Sequence, residues 1–156
     1  MILSKPKIAI VVGSKSDLQI IKGCEKILNE FNVDYDLKVL SAHRTPVETQ
    51  QFAQNADKVY DLIIAGAGKA AHLPGVIASY TILPVIGLPI KSSTLDGIDS
   101  LLSIVQMPKG IPVATVAIDG AENAALLACH ILTLKYPYIK ELLVNYRKRM
   151  ADEVLS

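Results

Sequence analysis

The chain has 156 residues, with 16 basic and 15 acidic side chains and a formal charge of +1. That length suits one domain, 1–156, with a real core; a domain of this size buries roughly 70% of the surface its unfolded chain exposes. A charge so close to neutral excludes a nucleic-acid binder working by bulk electrostatics, and 51% hydrophobic against 20% charged residues excludes a disordered chain. Two cysteines without a CxxC spacing, and a start with no signal-like pattern, point to a reducing compartment, the cytoplasm. No apolar run reaches the ~18 residues of a membrane span; the richest stretch, Val113 to Leu134, is broken by Asp119 and Glu122.

In chain order, the first strand is the apolar run Ile8–Val12, which stops at Gly13. A helix comes next, with Ile20, Cys24, Ile27, Leu28 and Phe31 at helical spacing and Ser16 with Gln19 as a capping box. Asp34 to Leu40 alternates and reads as a less buried strand. Thr45 as N-cap, Pro46 at the first helical position and Glu48 three residues past the cap open a second helix. Leu62–Ala65 stops at Gly66, Pro84–Ile86 stops at Gly87, and Val113–Ile118 stops at Asp119 and Gly120. Continuous apolar runs of this kind suit strands buried on both faces, the condition of a parallel sheet. Ala121–Leu134 is a further helix. The tail from Pro137 to about Leu155 carries Ile139, Leu142, Leu143, Tyr146, Met150 and Val154 on one stripe. The expectation is an α/β sandwich of three layers, a core at about 7–134 and a C-terminal helix at about 137–155, with right-handed crossovers. The long connection Lys91–Gly110 holds only a short helical pattern, Ile98–Val105. Connections of that length are usually functional or packed against something. With the tail stripe, it points to contacts between copies of the chain.

Open parallel sheets bind ligands beyond the carboxyl ends of their strands. Three segments therefore matter first: Gly13-Ser14-Lys15-Ser16-Asp17, Ser41-Ala42-His43-Arg44-Thr45-Pro46 and Gly66-Ala67-Gly68-Lys69-Ala70-Ala71-His72. The first puts hydroxyls and N–H groups at a helix N-terminus, which suits a phosphate. Asp17 suits ribose hydroxyls, and the plainer reading makes Ser16 a cap and Asp17 a first-turn acid. Neither GxxxxGK(S/T) nor GxGxxG is present. Arg44 suits a bidentate phosphate contact. His43 suits proton transfer, since an unperturbed imidazole titrates near ~6.5; alternatively it caps a loop carbonyl. Gly66-Ala67-Gly68 brings backbone N–H groups near a small anion or carbon dioxide, or is simply a tight turn. His72 donates into the pocket or holds the loop. His130, Cys24 and Cys129 read as structural, Asp96 and Asp99 as turn and cap residues, and nothing has metal-site spacing.

Taken together, the first two of those loops, with Ala70-Ala71-His72-Leu73-Pro74-Gly75 and Leu101-Leu102-Ser103-Ile104-Val105-Gln106-Met107-Pro108, resemble the N5-carboxyaminoimidazole ribonucleotide mutases of purine biosynthesis, from about Lys7 to Leu134. Ser41-Ala42-His43-Arg44-Thr45-Pro46 has the bacterial mutase form. The resemblance implies a flavodoxin-like fold, an octamer with sites at subunit junctions, and no cofactor. It also implies transfer of a carboxylate from the exocyclic nitrogen of a ribonucleotide to a ring carbon. By it, Ser16 and Arg44 hold the phosphate and Asp17 the ribose. Ser14, Ser41, Ala67, Gly68, His72 and Leu73 line the imidazole and its carboxylate, and His43 is the acid/base. Lys69 stands where the resemblance leads us to expect a glycine, Lys91 and Asp96 also differ, and Ile118–Asn123 is shorter than expected. Two other functions compete: direct carboxylation of aminoimidazole ribonucleotide, and a non-catalytic nucleotide or flavin module.

Overall fold

The structure, a computed structural model, describes residues 5–156; the first four, on which part of the reading of the chain's start rests, lie outside the described residues. Five strands form one parallel sheet: β1 (Lys7–Val12), β2 (Asp34–Val39), β3 (Leu62–Gly68), β4 (Val85–Ile90) and β5 (Ala114–Thr115), in the order β2-β1-β3-β4-β5. Ile10 sits between Leu37 and Ile64 across the two central pairings. This is the flavodoxin-like order, in which the winding direction reverses at β1.

Alternation along the strands builds two cores. Ile8, Ile10, Val12, Leu62, Ile64, Ile86, Leu88 and Ile90 face α1 (Leu18–Glu30), α5 (Ala121–Leu132) and α6 (Tyr138–Leu155). Ala9, Val11, Ile63, Ala65, Ala67 and Val85 face α2 (Pro46–Asn55), α3 (Leu73–Tyr80) and α4 (Ile98–Val105). The second face carries more alanine along its strands. Gly87 marks the tightest point. A Cβ there would lie 2.3 Å from Ile104 Cγ2 and 2.9 Å from Val113 Cγ1.

Several elements differ from the sequence reading. β3 runs on to Gly68 and β4 to Ile90, because their glycines permit close packing rather than ending the strands. The last run shrinks to Ala114–Thr115, since only Ile86 and Gly87 have partners in it. α3 is an additional helix. Neither capping box forms. Ser16 lies inside a 3₁₀ turn, Lys15–Asp17, whose cap is Ser14. The Thr45 hydroxyl is spent on the preceding loop. The tail stripe divides: Ile139 and Leu143 are buried and Tyr146 packs against Phe31, whereas Val154 and Leu155 are open.

Candidate active site

The carboxyl ends of β1, β2, β3 and β4 open into one cavity of about 770 Å³. Its lining includes Gly13, Ser14, Ser16 and Asp17 after β1, Ser41 to Arg44 after β2, and Ala67 to Ala70 with His72 and Leu73 after β3. The three loops therefore converge, although as many as 59 positions separate Gly13 from His72 in the sequence. Each is held by its own chemistry.

In the β1 loop, the Ser14 hydroxyl accepts from the Ser16 N–H at 3.3 Å and from the Ser16 hydroxyl at 3.0 Å. The turn is thus closed on itself, with the Asp17 N–H also donating to the Ser14 carbonyl at 3.1 Å. In the β2 loop, Thr45 Oγ1 accepts from the Ser41 N–H at 2.8 Å and donates to the Ser41 carbonyl at 3.1 Å. Buried Thr49 donates to the Thr45 carbonyl at 2.8 Å. This hydroxyl ladder explains why Thr45 does not cap α2: it fixes the loop that carries His43 and Arg44. Arg44 then crosses to β1, with Nη2 donating to the Gly13 carbonyl at 2.8 Å and Nε to Ser41 Oγ at 3.2 Å.

His43 meets His72 across the cavity. His43 Nε2 and His72 Nδ1 are 2.9 Å apart, and the rings are nearly perpendicular with centroids 5.0 Å apart. One nitrogen donates and the other accepts, so the contact holds a single proton between two rings. No other hydrogen bond of the His43 ring occurs among the described residues, which leaves its Nδ1 for a ligand. Both histidines are exposed in the single chain, as is Arg44. Asp17 is half-buried. Burial raises its carboxyl above the usual 3.8, against the lowering effects of a Ser14 backbone hydrogen bond and the Arg44 charge.

A fourth segment, the start of the Lys91–Gly110 connection that the sequence reading assigns to contacts between copies and not to the pocket, contributes Lys91 and Ser92, with Ile90 beneath. Extending the β4 run past Gly87 would have found them, since Leu88-Pro89-Ile90 remains apolar. Asp119 supports this edge by accepting from the Lys91 N–H at 2.9 Å, so the short Ile118–Asn123 loop does form part of the pocket's support. Buried Ser100 bonds the Ile90 carbonyl at 3.0 Å and ties α4 to the same edge. Gln19 and Ile20 of α1 also line the cavity.

The remaining candidates lie elsewhere. His130 Nδ1 bonds the Leu126 carbonyl at 2.7 Å and its Nε2 accepts from Arg147, both outside the cavity. Cys24 and Cys129 are buried, and burial pushes each thiol up to about 12. Asp96 turns the chain at φ +53° and pairs with Lys91, while Asp99 lies in the first turn of α4.

A family model described as AIR carboxylase matches residues 7–153, nearly the whole chain and every loop of the cavity. The chain belongs to the AIR carboxylase family. Within it, the chain is 61% identical over 146 residues to the N5-carboxyaminoimidazole ribonucleotide mutase of Pyrococcus abyssi, covering 93% of this chain and 84% of that one. It is 55% identical over 152 residues to the mutase of Thermotoga maritima, covering 97% and 89%. A phosphoribosylaminoimidazole carboxylase of Schizosaccharomyces pombe is 50% identical over 155 residues, 99% of this chain and 28% of that longer one. In three dimensions, the crystal structure of Treponema denticola PurE matches with a TM-score of 0.88 at 27% identity, covering 97% of this chain and 95% of that chain. Family membership and fold agree: the loops that the family model spans are the loops that the sheet order brings to one edge.

Proposed function

We propose that this protein is an N5-carboxyaminoimidazole ribonucleotide mutase of purine biosynthesis, with His43 as its proton carrier. The observation that carries the reading is the placing of one imidazole, with a free ring nitrogen, in a cavity whose other loops suit a phosphate and a sugar. Identity to relatives bearing the mutase name, over more than nine-tenths of this chain, supports it.

The roles come from position. Ser16 and the Arg44 guanidinium take the phosphate. Arg44 is held by Ser41 and Gly13, so it is already oriented for a bidentate contact. Asp17 accepts from the ribose hydroxyls; the burial that raises its carboxyl also leaves it with few water partners. Ser14, Ser41, Ala67, Gly68, His72 and Leu73 line the space left for the imidazole and its carboxylate.

The chemistry is an isomerisation that uses one imidazole for two proton transfers, of two different protons. His43 gives a proton to the exocyclic nitrogen of the substrate's carbamate. The N–C bond breaks, its electrons stay on nitrogen, and carbon dioxide is freed. The electron-rich ring carbon attacks that carbon dioxide, forming the new C–C bond. The substrate's own proton on the ring carbon then passes to His43, restoring both the aromatic ring and the starting protonation state of the enzyme. The His72 contact orients the His43 ring through its other nitrogen. No electron is transferred overall, and we propose that the reaction runs without a cofactor.

Carbon dioxide must stay beside the ring carbon between the two bond changes. In the single chain the cavity rim is exposed. We propose that neighbouring copies close it in a homo-oligomer, an octamer with sites at subunit junctions, assembled through α4 and the tail. Leu95, Ile98, Leu102 and Val105 make an uncovered apolar stripe at helical spacing. Among the described residues no helix is long and apolar enough to cross a membrane, and we place the enzyme in the cytoplasm as one α/β domain.

The test is turnover of N5-carboxyaminoimidazole ribonucleotide, with chelator present and ATP absent, against turnover of aminoimidazole ribonucleotide plus bicarbonate. Efficient conversion of the first supports the mutase. Efficient conversion of the second alone supports the direct carboxylase that the fission yeast relative's name suggests.

A further inference from the structure

The cavity holds more positive charge than the phosphate role uses. Arg44, Lys69 and Lys91 line it, and among the described residues Asp17 is its one carboxylate. Arg44 is bonded to Gly13 and Ser41, and Lys91 is paired with Asp96 at 3.1 Å. Lys69 differs: among the described residues it has no carboxylate within salt-bridge distance.

Its backbone is also unusual. Lys69 sits at φ +56°, in the left-handed region where a side chain crowds its own carbonyl and glycine is the natural occupant. A non-glycine residue held in such a conformation on a cavity wall calls for a functional account, because the fold would be easier to satisfy without the side chain. Lysine is also an unfavourable residue for a merely solvated turn here, since the next helix, α3, presents its positive end to the same space. An anion in the cavity removes that conflict.

Position says which anion. The sheet order puts β2 and β3 on opposite sides of β1. Arg44 leaves β2 and its guanidinium reaches the Gly13 carbonyl beyond β1, whereas Lys69 follows β3, so the two cations reach the cavity from different strand ends. That arrangement suits a ligand with two anionic groups, and Arg44 takes the phosphate. We infer that Lys69 is a specificity-determining residue, a second cation that holds the carboxylate of the nucleotide and so distinguishes carboxylated from decarboxylated forms. This inference rests on the mutase reading and deepens it.

The experiment measures affinity by calorimetry for two nucleotides, 4-carboxy-5-aminoimidazole ribonucleotide and 5-aminoimidazole ribonucleotide. The parent protein is compared with Lys69→Gly, which relaxes the backbone, and with Lys69→Met, which keeps the side-chain length. Both variants are expected to lose about tenfold in affinity for the carboxylated nucleotide, the low end for a charge-assisted hydrogen bond at an open site. Affinity for the decarboxylated nucleotide is expected to stay within about twofold, because its phosphate contact is untouched. Lys69→Arg should restore most of the discrimination. An unchanged ratio in both variants, with the parent binding both nucleotides, overturns the Lys69 assignment alone. A parent protein that binds neither nucleotide overturns the mutase reading, and this inference with it.

Discussion

Asp17 carries a carboxyl that the fold holds above its usual range, mainly because burial takes away its water. The sign of the effect on stability is fixed by linkage. A carboxyl with a raised folded pKa binds its proton more tightly in the folded chain than in the unfolded one. Its ionisation therefore costs stability, starting as pH rises through the unfolded value near 3.8 and complete above the folded value. A residue that costs stability at neutral pH and faces a cavity is best explained by what it binds. Asp17→Asn should leave the melting temperature at neutral pH equal or higher and weaken ribonucleotide binding. Thermal melts across the acid range, with a binding titration at neutral pH, check both. A variant that is less stable at neutral pH yet binds normally contradicts the ribose role. The place of Asp17 in the ligand-facing loop is legible in the sequence, but its burial is not, because that depends on loops distant in the chain. The His43–His72 contact is hidden for the same reason: 29 positions separate the two rings, and nothing local brings them within 2.9 Å.

Among the elements, the strands are readable because burial on both faces writes itself as continuous apolar runs. Their ends are obscured at glycines. Gly66 and Gly87 lie inside strands, where the missing side chain lets neighbours approach. Gly87→Ala should destabilise the fold by about 1–3 kcal/mol, the usual range for overpacking a tight core, since the new methyl would meet Ile104 and Val113. Urea unfolding measures it; a neutral substitution would show that α4 can move away from β4. Caps are obscured for a different reason. The sequence places hydroxyls where helices begin, but Ser14, not Ser16, caps the 3₁₀ turn ahead of α1, and Thr45 bonds the loop before α2. Capping patterns assume the local backbone is the best available partner, and at a ligand-binding edge the loop competes for the same hydroxyl.

For the whole molecule, the sheet order decides what the loops do together. Reversal of winding at β1 opens the crevice, and four loops from four strands line it. Three of them are legible in the sequence. The fourth depends on β4 running to Ile90, and on Asp119 and Ser100 anchoring the chain beyond that strand. Assembly belongs to this scale as well. The exposed α4 stripe has no partner among the described residues, and α4 adjoins the β4 edge of the cavity through Ser100. Leu102→Glu places a charge on an already exposed position, so each chain should still fold. The expected result by light scattering is a smaller particle, with reduced carboxyl transfer. A parent protein that is fully active as a monomer would contradict the assembly.

The central claim is that one histidine serves both proton transfers, to the exocyclic nitrogen and from the ring carbon. Removing the imidazole should abolish chemistry while sparing binding, because the proposed roles assign phosphate, ribose and carboxylate to other groups. His43→Asn keeps a polar side chain but cannot carry a proton near neutral pH. General acid–base groups contribute about 10²–10⁴-fold, and here one group serves two transfers. The decisive measurement is turnover of N5-carboxyaminoimidazole ribonucleotide by His43→Asn, with product affinity measured on the same preparation. The account predicts a loss of about 10⁴-fold or more in kcat, with affinity changed little, as expected for an interaction needed only in the transition state. Near-normal turnover would contradict it and move the proton to His72, the other histidine on the cavity wall.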